Sequence, residues 1–155
     1  MNLLNSKYII VEIIPTAVTP KKGEIIQISA LKLNGLTLLD RFDYRLDDAS
    51  LPIPEMLSWI SYDKDLFTYR NKSNVILKEF KTWSEKLPIL VLDETYTKAY
   101  LEKLGNELIP ILSFLEEEYS TDIIDKLATK YNLEPSNYIV NLLYESLIQK
   151  LSKLD

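Results

Sequence analysis

The dipeptide Asn34-Gly35 separates two strand-like runs, and no other feature restricts the fold of this chain so tightly. Asn-Gly adopts positive φ cheaply and closes a two-residue turn whose twist matches that of paired strands. Before it, Glu24 to Leu33 carries an apolar strip of Ile25, Ile26, Ile28, Ala30, Leu31 and Leu33; after it, Leu38 to Arg45 reads as the returning strand. Upstream, Tyr8-Ile9-Ile10-Val11-Glu12-Ile13-Ile14 is a short β-branched run that Pro15 stops, with Pro20-Lys21-Lys22-Gly23 as a turn. The chain therefore opens as a three-stranded antiparallel meander.

The pattern then changes period. Pro52 and Pro54 break the chain, and Met56-Leu57 with Trp59-Ile60 reads as a short helix or turn under the sheet. Ile76, Leu77, Phe80 and Trp83 recur at helical spacing, with Ser73 or Asn74 as the cap and Pro88 as the stop. Ile89-Leu90-Val91-Leu92 is a fourth, buried strand, expected parallel to the first. Thr95 to Leu104 is helical and ends at Gly105. Leu108 to Leu115 reads equally as a short buried strand or a helix start. Thr121 or Asp122 caps a helix over Ile123 to Tyr131, and Pro135-Ser136-Asn137 opens a final helix bearing Ile139, Leu142, Leu143, Leu147, Leu151 and Leu154. This order predicts a single α/β domain over residues 1–155, with helices covering a mixed sheet.

Composition removes several chemistries. The 155 residues include no cysteine, so disulfides and thiolate metal sites are excluded, and no histidine, so every mechanism with a histidine base or ligand is excluded too. The formal net charge of −5 argues against a broad phosphate-binding surface, because neutralising phosphates dominates nucleic-acid affinity. No run approaches the roughly 18 apolar residues of a membrane span, and Met1 to Lys7 has no secretory-signal pattern, so the expected location is the cytoplasm.

Several fragments, in this order, resemble the DnaQ-like (DEDD) 3′→5′ exonucleases of the proofreading-subunit and RNase T type. Val11-Glu12-Ile13-Ile14-Pro15-Thr16-Ala17 stands where that family reads V-D-x-E-T-T-G. Gly23 through Lys32 with Asn34-Gly35 is similar to its "IIEIGAVK" strand and hairpin. Leu57-Ser58-Trp59-Ile60-Ser61 is similar to "LTGIT", Val75 through Trp83 to "EVLxEFxxW", and Leu92 through Leu101 to "HNxxFDxxFL". Ile124 through Leu133, then Ser136 through Leu142, resembles its closing segment. The resemblance implies a ribonuclease-H-like fold: an antiparallel meander plus parallel strands, covered by helices.

It also implies four acidic ligands for two divalent metals and a histidine or tyrosine base. Such metals stand roughly 3.5–4 Å apart and stabilise the attacking and leaving oxygens; hard cations of this kind need oxygen ligands, chiefly carboxylates. Carried over residue by residue, the first position is Glu12, still acidic. The second is Ile14, which offers no oxygen. The third is Thr97, and the fourth is Asn141, or Leu142 if the helix shifts by one. The base position falls on Ser136 or Asn137. Tyr138 lies three residues before Asn141 and four before Leu142, neither of them the aspartate that the tyrosine pattern needs, so that pattern fails too. Trp59 replaces the glycine of "LTGIT", where a large ring would obstruct a terminal nucleotide.

One acidic position in four keeps a carboxylate. The expectation is a catalytically inactive exonuclease-like domain with no metal cofactor. It would act as a protein-interaction module linked to DNA replication, repair or mobile-element defence, its acidity suiting a basic partner. Two alternatives stay open. One is nucleic-acid binding without cleavage, through Lys21, Lys22, Arg41, Arg45, Arg70 and Lys72. The other is an exonuclease with atypical ligands, for which Glu12, Asp93 and Glu94 are the nominees for Mg2+ or Mn2+. Asp93 and Glu94 read more simply as charges favoured at a helix N-terminus, and Glu116-Glu117-Glu118 as a solvated run.

Overall fold

The structure is a computed structural model, and it describes residues 1–15, 25–45, 73–92, 94–134 and 139–153. The expected turn at Pro20 to Gly23, the segment from Pro52 to Ile60, and Pro135 to Tyr138 lie outside the described residues.

Three long strands form the meander: β1 (Lys7–Pro15), β2 (Ile25–Asn34) and β3 (Thr37–Arg45). Each has another strand or a helix layer to bury its β-branched residues against, as such residues require on a pleated surface. The hairpin closes one residue later than the Asn-Gly reading implies. Asn34 is still paired with Thr37 in the ladder, and Gly35-Leu36 make the turn. Only Gly35 of the two central residues has positive φ, at +60°, as a II′-type hairpin requires. A Cβ there would stand 2.8 Å from the Leu4 carbonyl oxygen, so both conformation and space demand glycine. The Gly35 N–H donates to the Ser6 carbonyl (2.9 Å) and the Tyr8 hydroxyl donates to the Gly35 carbonyl (2.8 Å), which ties the turn back to the start of β1.

Helix α1 (Ser73–Ser84) follows, then β4 (Ile89–Val91), which runs parallel to β1, and α2 (Glu94–Leu101), which tightens into a 3-10 turn over Glu102–Leu104. Gly105 ends that turn at φ +84°. The ambiguous stretch from Leu108 to Leu115 proves to be both alternatives in sequence. Leu108–Pro110 is β5, parallel to β4, and Ile111–Leu115 is α3. Pro110 makes the boundary, since it can end a strand and precede a helix but cannot donate a ladder hydrogen bond. Helices α4 (Ile123–Tyr131) and α5 (Ile139–Ser152) close the chain. Asp122 is the N-cap of α4, as expected, but its carboxylate accepts from the Ser120 hydroxyl (2.7 Å) rather than capping the helix.

The sheet order is β3-β2-β1-β4-β5. Strand periodicity divides β1 between two cores. Ile9, Val11 and Ile13 face α1 and α2, where Phe42, Phe80 and Val91 are buried. Tyr8, Ile10 and Ile14 face α3, α4 and α5, packed among Ile111, Leu127, Val140 and Leu143. Glu12 belongs by parity to this second face.

Candidate functional site

Register decides what surrounds Glu12. It lies opposite Ser29 of β2, and Ser29 lies opposite Asp43 of β3, so these three residues form one polar rung across the meander. The next rung on this face, two residues away, is Ile10, Leu31 and Arg41. Helix α5 lies over this face and brings the N-terminal end of its backbone onto Glu12.

Glu12 is 6% exposed. Its Oε2 accepts the Ile139 N–H at 2.9 Å, at the first described turn of α5. A helix N-terminus leaves its first N–H groups unsatisfied and carries partial positive charge, so a carboxyl group is favoured there. The other oxygen, Oε1, is buried with no hydrogen-bond partner among the described residues. Burial pushes the Glu12 carboxyl up to about 8, against the opposing pull of the Ile139 and Val140 N–H groups, and the charge of Asp43 adds to the rise. At neutral pH the group is mainly a neutral acid.

The remaining expected positions are distributed as follows. Ile14 is 1% exposed and packs in the core shared with α3, α4 and α5. Thr97 is buried on α2. Asn141 is half-buried on α5, and its Oδ1 accepts from Arg41 Nη1 at 2.9 Å; Leu142, the alternative fourth position, is buried in the core. Asp93, Ser136, Asn137 and Tyr138 lie outside the described residues, and of Glu94 only the backbone is described. Of the proposed basic strip, Lys21, Lys22, Arg70 and Lys72 also lie outside, and Arg45 is described as backbone only. Arg41 alone can be placed.

Sequence reasoning missed what Arg41 does. Its Nε donates to Asp43 Oδ2 at 3.0 Å while Nη1 holds Asn141, so one guanidinium joins strand β3 to helix α5 beside the Glu12 rung. The i, i+2 spacing of Arg41 and Asp43 on a strand was the available signal, since it places both on one face. Among the described residues, no three carboxylates converge as a cation site.

A second polar cluster lies on the opposite face. Lys32 Nζ donates to the Trp83 carbonyl (2.6 Å) and to Glu85 Oε2 (3.1 Å), and stands 4.5 Å from the centre of the Trp83 ring. The Trp83 indole N–H in turn donates to Asp40 Oδ2 at 3.0 Å, and this bond is the main reason the Asp40 carboxyl is held below the usual range. This cluster stops α1 at its carbonyl end and is structural in character.

No protein-family profile and no curated protein sequence matches the chain. Solved structures do. The zinc-bound E. coli exonuclease I complex with single-stranded DNA superposes with a TM-score of 0.69 at 12% identity, over 97% of this chain and 41% of that one. Product-bound exonuclease I gives 0.66 at 11% identity, over 97% and 44%. Exonuclease X in complex with a 5′-overhanging duplex DNA gives 0.64 at 9% identity, over 94% of this chain and 92% of that one. The chain thus spans less than half of the exonuclease I chains it matches. Its fold is the ribonuclease-H-like fold of DnaQ-type exonucleases, as the ordered sequence fragments imply.

Proposed function

We propose that this chain is a non-cleaving exonuclease-like domain that works by binding a protein partner. The observation that carries the reading is the state of Glu12. The one carboxyl group left at the family's ligand positions is buried and bonded to the N-terminal backbone of α5, and burial pushes it toward its neutral form. A divalent cation needs an ionised, accessible oxygen ligand and several companions. Here the companions are an isoleucine side chain in the core, a buried threonine, and an asparagine already held by Arg41. The described residues do not fit a two-metal centre, and no hydrolytic step is assigned to them.

Interaction is the reading that the retained fold supports once cleavage is set aside, because fold and chemistry are separable. An exonuclease I structure of 11% identity and TM-score 0.65 is a complex with SSB-Ct, and others contain DNA. By analogy with the fold alone, we place the partner in DNA replication, repair or mobile-element defence. The net charge of −5 favours a basic protein over a nucleic acid.

The test is direct. The protein is incubated with end-labelled single-stranded DNA and RNA in Mg2+ and in Mn2+, alongside an active exonuclease. No shortening of either strand is expected. Metal-dependent cleavage that disappears in E12Q overturns the proposal. Fluorescence anisotropy at two salt concentrations decides the nucleic-acid alternative, which requires affinity that drops steeply with salt.

A further inference from the structure

Missing carboxylates would by themselves weaken the binding of a divalent ion, and the structure adds a residue that no motif comparison would select. Besides Glu12, the described part of this face brings the Ser29 hydroxyl, which accepts from Gln27, and two carbonyl-type oxygen donors to the rung, Asp43 and Asn141. The last two share a feature. Both are held by the same guanidinium, through Nε to Asp43 at 3.0 Å and through Nη1 to Asn141 at 2.9 Å. We infer that Arg41 is a metal-excluding residue: a tethered cation that occupies the oxygen donors a divalent ion would otherwise collect. The inference rests on the non-cleaving reading and goes further by naming what enforces it.

Geometry and charge support it together. Arg41 lies on β3 in the rung next to Asp43, on the face that α5 covers, so strand parity aims both side chains at the same space. A divalent ion bound to Asn141 Oδ1 would sit about 2.1 Å from that oxygen. Arg41 Nη1 is 2.9 Å from the same atom, so ion and guanidinium would stand at most about 5 Å apart. An ion and a guanidinium at that separation repel one another even in the solvent-exposed setting of Arg41 and Asp43, whose side chains are 37% and 34% exposed. Arg41 cannot relieve the conflict by losing its proton, because a guanidinium stays charged in proteins. Withdrawal into solvent would break its bonds to both Asp43 and Asn141. Asp43 is close enough to Glu12 for its charge to be felt there, which links the Arg41 contacts to the Glu12 rung through Asp43.

The experiment restores one carboxylate and then removes the cation. Mn2+ binding to the full chain is measured by electron paramagnetic resonance for wild type, N141D, N141D/R41Q, N141D/R41M and N141D/R41K, with circular dichroism to show that each is folded. Wild type and N141D should bind no Mn2+ at millimolar concentration. N141D/R41Q and N141D/R41M should bind at least about tenfold more tightly than N141D, and N141D/R41K, which keeps a positive charge, should behave like N141D. Equal affinities for N141D and both charge-removed variants overturn the inference, whether all bind or none does. Mn2+ binding by N141D/R41K equal to that of N141D/R41Q also overturns it. The two readings fail separately: metal-dependent cleavage by wild type defeats the non-cleaving proposal, while equal Mn2+ affinities with wild type inert defeat only the role given to Arg41.

Discussion

The two faces of the sheet each bury one ionisable residue against a helix end, with opposite outcomes. On the α1 side, Lys32 meets the carbonyl end of a helix, where a cation is favoured. It also has Glu85 as a counter-ion, a Trp83 ring beside it, and a route to solvent. On the α5 side, Glu12 meets the N–H end of a helix, where an anion is favoured. It has no counter-ion within its bonds, one oxygen without a partner among the described residues, and Asp43 as a like charge nearby. The first group is a paired cation and the second a mainly neutral acid. A helix terminus offsets part of the cost of burying a charge, and a partner or solvent must supply the rest.

Substitutions can break or sharpen this contrast. The largest effect is expected from I14E, which restores a family carboxylate but places it in the α5-side core. It should cost more than about 3 kcal/mol or prevent folding, measured by urea unfolding. Next is the pH response of Glu12. Its carboxyl titrates near 4.5 in the open chain and near 8 in the fold, so the fold favours the protonated form. The stability this contributes is fully present below pH 4.5 and is lost as pH rises to about 8. Relative to E12Q, which cannot ionise, wild type should weaken by on the order of several kcal/mol between pH 5 and pH 9. A difference between the two proteins that stays flat with pH would show that Glu12 is ionised in the fold. On the other face, K32M should cost about 1–2 kcal/mol by leaving the Trp83 carbonyl uncapped, with little change across the same pH range. The smallest effect is expected from D40N, at most about 1 kcal/mol, because the indole bond it weakens is at the surface. Unfolding midpoints at matched pH and salt check both.

Much of this architecture was legible in the chain. The short β-branched run from Tyr8 to Ile14 announced a strand, which the structure buries on both faces, and Gly105 ended its helix where its conformational freedom is needed. Asn34-Gly35 located the hairpin within one residue. The exact turn was not legible, because a clash with Leu4, distant in sequence from Gly35, fixes which residue must lack a Cβ. The stretch from Leu108 to Leu115 could not be divided by periodicity either, since three strand residues and five helical ones are each too short to show a period.

The site divides in the same way. Glu12, Ile14, Thr97 and Asn141 could be nominated from order and spacing, since residue type alone shows whether an oxygen ligand is present. That burial raises the Glu12 carboxyl, and that Arg41 holds Asp43 and Asn141 together, could not be nominated. Arg41 and Asn141 are separated by 100 positions.

By itself, the sequence determined most of the strands and helices, the absence of histidine and the residue type at each position, because those follow from local periodicity and side-chain chemistry. The tertiary structure alone decided which groups share a dielectric and who neutralises whom. Register across β1, β2 and β3, and the docking of α5 over them, set those distances, and electrostatic energy depends on distance and burial rather than on order along the chain.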